Sequence, residues 1–105
     1  MNLGQAIKSV RTHLNVSQKE LAIACSISQN SLSQIENGIK KPKETTVIKI
    51  CDAFQIPECL IYLLALEEGD ISPSKRNHYP ILHSSISSIA VQLAKLEQVA
   101  EPVMA

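Results

Sequence analysis

Near the start of the chain the apolar residues Leu3, Ile7, Val10 and Leu14 recur at steps of four, three and four. That spacing puts them on one face of a helix, which ends near Asn15. Ser17 opens a second helix with the run "SQKE". Its hydroxyl can accept from the Glu20 amide while the Glu20 carboxylate reaches back, a capping box. Leu21, Ala24 and Cys25 supply the apolar face of this helix. A third begins after Ser28, a good N-cap, and stops at Gly38, which suits the left-handed position past a helix end. About three residues separate the second and third helices, so the two cross steeply, as in a helix-turn-helix.

"IKKPKE" follows as a basic loop, and its Pro42 cannot continue a helix. Val47, Ile50, Cys51 and Phe54 mark a fourth helix, and Pro57 suits the first turn of a fifth. Leu60, Ile61, Leu63, Leu64 and Leu66 make the fifth helix apolar nearly all round, so part of it should meet something beyond a small domain. The polar stretch Glu67 to Asn77, with its glycine and proline, reads as a linker. After Pro80, Leu82, Ile86, Ile89, Leu93, Leu96 and Ala100 alternate steps of four and three, a heptad seam under three heptads long. Such a helix can pack back on its own domain or join two chains. Two uncovered apolar surfaces, on the fifth and sixth helices, favour dimerisation.

The expected fold is therefore all-α. Residues 1–68 form a five-helix domain, 69–79 a linker, and 80–105 a C-terminal amphipathic helix with a frayed end, the expected dimerisation element. Three aromatic residues in 105 leave the core to Leu, Ile, Val and Ala. The zero net charge conceals two halves of opposite sign. Residues 1–43 hold six basic and two acidic side chains, a net +4, and residues 44–105 hold four and eight, a net −4. A polyanion would meet the first half.

The third helix carries the candidate chemistry. At about 100° per residue, Gln29, Ser33, Asn37, Asn30 and Gln34 fall within an arc of about 140°, opposite Leu32 and Ile35. An amide donates and accepts at once, so Gln or Asn can pair bidentately with adenine N6 and N7 in the major groove, and a serine hydroxyl can bond to either kind of group. On an isolated helix the plainer reading is a solvated polar face, although surface helices more often use Lys and Glu. A capped helix and tight turn before it, and a basic loop after it, shift the balance toward recognition.

The run "VSQKELAIACSISQNSLSQIENGIKKP", Val16 to Pro42, resembles the Cro and lambda-repressor type (XRE-type) helix-turn-helix family, most specifically in "SQKELA", "IENG" and the following proline. With the flanking helices the resemblance covers about residues 3–66. It implies a lambda-repressor-like fold and a transcriptional regulator of double-stranded DNA. Gln29, Asn30, Ser33 and Gln34 match base-reading positions. Gln18 matches a phosphate-contacting residue, favoured by the helix dipole. Asn37, the amides after Gly38, and Lys40, Lys41 and Lys43 resemble backbone contacts. Arg11 and Glu36 match a structural ion pair joining the first helix to the third. Ser26 departs from the pattern, standing where the turn normally has glycine. A left-handed Ser26 costs on the order of 1 kcal/mol.

Other classes are disfavoured. His13, His78 and His83 are scattered, and three glycines form no phosphate loop, so neither enzyme activity nor a cofactor is expected. Cys25, Cys51 and Cys59 form no CxxC and read as buried thiols rather than metal ligands. Two tyrosines are few for stacking single-stranded nucleic acid. The run Cys59 to Leu66 is too short to span a bilayer, and Met1 to Val16 is no secretory signal, so a cytoplasmic protein is expected, and the family resemblance implies a bacterial or phage origin. The expectation is a dimeric repressor. The alternatives are the antitoxin of a toxin–antitoxin pair, with a toxin as protein partner, and a restriction–modification controller protein.

Overall fold

The computed structural model describes residues 1–94. Six α-helices form there: α1 (Leu3–His13), α2 (Gln18–Ala24), α3 (Gln29–Glu36), α4 (Glu44–Phe54), α5 (Glu58–Leu64) and α6 (Tyr79–Leu93). Among the described residues there is no strand. The helix starts follow local capping chemistry. Ser17 Oγ accepts from the Glu20 amide at 3.0 Å, and the Ser17 amide donates to Glu20 Oε1 at 2.9 Å. Bonding to the Ser17 amide, and then to its hydroxyl, holds the Glu20 carboxyl below the usual carboxylate range. Ser28 Oγ caps α3 at the Ser31 amide. Pro57 caps α5 from outside, one residue earlier than its expected place in the first turn.

Four consecutive helices, α1 to α4, end in one motif. After α1, α2 and α3, residues Asn15, Ser26 and Gly38 take positive φ of 58°, 57° and 76°. In each case the next amide reaches back to a carbonyl in the last turn: Val16 to Arg11, Ile27 to Ala22, and Ile39 to Gln34. This Schellman arrangement satisfies carbonyls that a helix end would otherwise leave open. Only Gly38 adopts the conformation without a Cβ cost. Ser26→Gly should therefore stabilise the protein by about 1 kcal/mol, raising Tm by about 4–8 °C in a thermal melt. Gln55 repeats the motif after α4, at φ 58° with the Ile56 amide donating to the Cys51 carbonyl at 3.1 Å, a left-handed glutamine that nothing in its local sequence announces.

The core collects Ile7, Val10, Leu21, Leu32, Ile35, Val47, Ile50, Phe54 and Ile61, each almost inaccessible to solvent. On α2 the inward residues are Leu21, Ala22 and Cys25; Ala24 is exposed, so the face lies slightly off the expected one. α1 packs on α3 and α5, and α2 packs on α3 and α4. At Gly4 the backbones of α1 and α3 approach closely. A Cβ there would collide with the Ile35 carbonyl.

The stretch expected as a linker contains two short 3-10 helices, Glu68–Asp70 and Pro73–His78. Arg76 Nε donates to the carbonyls of Glu68 and Ile71, and Tyr79 Oη donates to the Leu66 carbonyl at 3.1 Å. These bonds return the chain so that α6 lies against α5 and α1. α6 lies on α5 with Ile86 and Ala90 buried, as is Ala94 just past its end. The heptad seam is thereby divided. Ile86 is 8% exposed and belongs to the intramolecular face, whereas Leu82, Ile89 and Leu93 are 41%, 50% and 54% exposed. Around the helix the buried stripe is centred about 70–80° away from those three residues. Ile86 is thus corrected from a seam residue available to a partner to a core residue, while Leu96 and Ala100 lie outside the described residues.

The thiols also separate. Cys25 and Cys51 are buried, and burial pushes their pKa up to about 11 and about 12. Cys59 is exposed, contrary to the expectation of three buried thiols, because its position on α5 faces away from the core. Among the described residues no group of His, Cys, Asp or Glu could hold a metal ion. No helix there is long and apolar enough to cross a membrane.

Candidate nucleic-acid interface

α3 is anchored from below and open above. Leu32 and Ile35 are buried in the core, while Gln29, Asn30 and Asn37 are exposed and Ser33 and Gln34 half-buried. Gln29, Asn30 and Gln34 keep their side-chain amides free of intramolecular hydrogen bonds among the described residues. Asn37 Nδ2 donates weakly to Ser33 Oγ at 3.4 Å. The exposed face is therefore mostly uncommitted amide chemistry on a rigid, capped helix.

Beneath α3 the charges close on themselves. Arg11 Nε donates to Glu36 Oε2 at 2.7 Å and its Nη2 to Glu36 Oε1 at 2.9 Å, a bidentate pair. Arg11 Nη1 adds a bond to the Val16 carbonyl at 2.8 Å. The Glu36 side chain is 0% exposed. Its charge is thus neutralised inside the protein and does not oppose a phosphate at the surface. Gln18, first residue of α2, also turns to this pair: its Nε2 donates to Glu36 Oε1 at 2.9 Å. That contact between α2 and α3 was not visible in the sequence, where Gln18 read only as an outward-facing group.

The loop after α3 supplies the cations. Lys41 and Lys43 are exposed, and Lys40 Nζ donates to Ser31 Oγ at 3.1 Å, which folds that charge over the flank of α3. A cleft of about 380 Å³ between the start of α1 and this loop is lined by Gly4, Gly38, Lys40, Lys41 and Pro42. The backbone amides after Gly38 require a correction. Both the Ile39 and Lys40 amides donate to the Gln34 carbonyl, at 2.9 and 3.2 Å, so they close α3 and are not free for a phosphate. The physical reason is the left-handed turn at Gly38, which directs those N–H groups back along the helix.

A capped helix, a tight left-handed turn and a second helix with an exposed amide face define a helix-turn-helix, the class of fold that presents one helix to duplex DNA. The comparisons agree. The Helix-turn-helix family (HTH_3) matches residues 7–61, and the chain belongs to that family, of Cro and lambda-repressor type. It carries a DNA-binding domain of the kind found in transcriptional regulators. One similar protein is the HTH-type transcriptional regulator ImmR of Bacillus subtilis (strain 168), 29% identical over 93 residues, covering 89% of this chain and 68% of that protein. Another is the uncharacterized HTH-type transcriptional regulator Rv0474 of Mycobacterium tuberculosis, 32% identical over 72 residues, covering 69% of this chain and 49% of that one. The chain thus spans about two thirds of the first relative and half of the second.

Proposed function

We propose that the chain is a cytoplasmic transcriptional repressor that binds a two-fold operator as a dimer, with α3 of each subunit in the major groove. The observation that carries this reading is the exposed, uncommitted amide face of α3 above its buried anchor of Leu32 and Ile35. Gln29, Asn30, Ser33 and Gln34 read base edges. Gln18, Asn37, Lys40, Lys41 and Lys43 meet the backbone. The names of the relatives, HTH-type transcriptional regulators, support a role in transcription.

Direct readout and phosphate contact leave different signatures. Gln29→Ala should cost about 1–3 kcal/mol on a duplex selected for tight binding and nothing on a random duplex. Lys41→Ala should weaken both equally and flatten the dependence of affinity on salt by about one unit per subunit. Fluorescence anisotropy at several salt concentrations measures both. An equal loss on both duplexes for Gln29→Ala would remove that residue from base reading.

The dimer is assigned to the uncovered shoulder of α6, Leu82, Ile89 and Leu93; Leu63 of α5 is exposed as well. The helix Tyr79–Leu93 carries no Asp, Glu, Lys or Arg, and His83 is its one basic side chain, so two copies can meet there without desolvating a permanently charged group. Ile89→Glu with Leu93→Glu should convert the dimer to a monomer in sedimentation while leaving the Tm near that of the native fold. Cutting the chain after Asp70 is a poorer test, because it also uncovers the part of α5 beneath Ile86 and Ala90. The same shoulder would fit a toxin if the chain were an antitoxin. A native chain that sediments as a monomer would favour that reading.

A further inference from the structure

We infer that Glu36 is a positioning residue for DNA binding, acting through Gln18. The inference rests on the reading of Gln18 as a phosphate contact. Glu36 occupies the last turn of α3, and Gln18 the first position of α2. The two side chains meet at 2.9 Å through Gln18 Nε2 and Glu36 Oε1. Oε1 also accepts from Arg11 Nη2, while Oε2 accepts from Arg11 Nε. A buried carboxylate thus joins α1, α2 and α3 at one point.

The chemistry of this joint orients the amide. A free glutamine at a helix start samples several rotamers and can present either its oxygen or its nitrogen outward. An anionic acceptor takes only a donor, so Glu36 selects the NH2 end of Gln18 and pins it. One N–H is then committed, and the second is the remaining donor available to a phosphate oxygen. Bonds to a charged partner are among the stronger hydrogen bonds, so the orientation is set before DNA arrives. The ordering cost of the side chain is met in folding rather than in binding. Glu36 is therefore a negative charge that assists contact with a polyanion, because Arg11 neutralises it and Gln18 covers it.

Two swaps that differ only in the acceptor at position 36 test this in the full chain. Arg11→Met with Glu36→Leu removes the acceptor, whereas Arg11→Met with Glu36→Gln keeps a carbonyl oxygen that can still hold Gln18. Affinities are measured for a selected duplex and a random one, with Tm recorded for each variant. We expect the Leu version to bind both duplexes about tenfold more weakly than the native chain, and the Gln version, which keeps an acceptor but no longer excludes the reversed Gln18 amide, to fall between the two. Adding Gln18→Ala should erase the difference between the two swaps. Equal binding by the two swaps, or a difference that persists without Gln18, overturns the inference and leaves Glu36 a structural residue. Gln18→Ala alone separates the two layers: if it binds as the native chain does, the phosphate role of Gln18 fails instead. If the Leu version does not fold, the native chain decides by NMR. The Gln18 side-chain NH2 should be slow to exchange without DNA and shift when a duplex binds; fast exchange, or no shift, overturns the inference.

Discussion

Arg11→Ala should lower the unfolding free energy by about 3–5 kcal/mol, a large fraction of the stability of a domain this size. The loss follows from what remains. Glu36, with its side chain 0% exposed, would lose both guanidinium bonds and keep only the Gln18 amide as a partner. The Val16 carbonyl would lose its donor as well. Replacing both charges together should cost far less, because no buried ion is then left unpaired. Urea titration of Arg11→Ala beside Arg11→Met with Glu36→Leu measures the contrast. Similar losses for the two would mean that the site tolerates an unpaired carboxylate, and that the pair is not what holds α1 to α3.

Gly4→Ala should be the other severe substitution, costing about 3 kcal/mol, the upper end of ordinary overpacking. The added Cβ meets backbone and not the end of a flexible side chain. The Ile35 carbonyl cannot retreat freely, since it accepts the Gly38 amide at 3.2 Å in the turn that closes α3. Relief requires α3 to shift away from α1, and the amide face of α3 shifts with it. DNA affinity should therefore fall even at temperatures where the variant stays folded. Gly69→Ala is the matching control, because nothing lies within 4 Å of its added Cβ. Its stability should stay within about 0.5 kcal/mol of the native chain. A Gly4→Ala protein that melts with the control would place slack between α1 and α3.

Of these two positions, Gly4 marks where the sequence stopped being informative, whereas the Arg11–Glu36 pair was implied by the family resemblance. Helix starts were legible because a cap is a local event. Ser17 with Glu20, and Ser28, need only their own next turn, and Gly38 needs only its own φ. The exposed amide arc of α3 was legible for the same reason, since it follows from the 3.6-residue period alone. Gly4 was silent: a glycine in a helix reads as a small penalty until the carbonyl opposite it is known. Gln18 read as an outward amide because its partner lies 18 residues away on another helix. On α6 the apolar sector is broader than one contact face, so periodicity identified the helix but not which edge of the sector the domain covers. The short helices between α5 and α6 depend on Arg76 and Tyr79 reaching backbone carbonyls, which composition does not encode.

Recovery of bound duplexes from a random pool tests the central claim most directly. The account predicts a defined sequence made of two half-sites related by a two-fold axis, with centres about 34 Å apart, one helical turn of DNA. The enrichment should disappear when Gln29 and Gln34 are both replaced by Ala, while salt-dependent binding to unselected DNA persists. A pool that returns no common sequence with the native chain would contradict it.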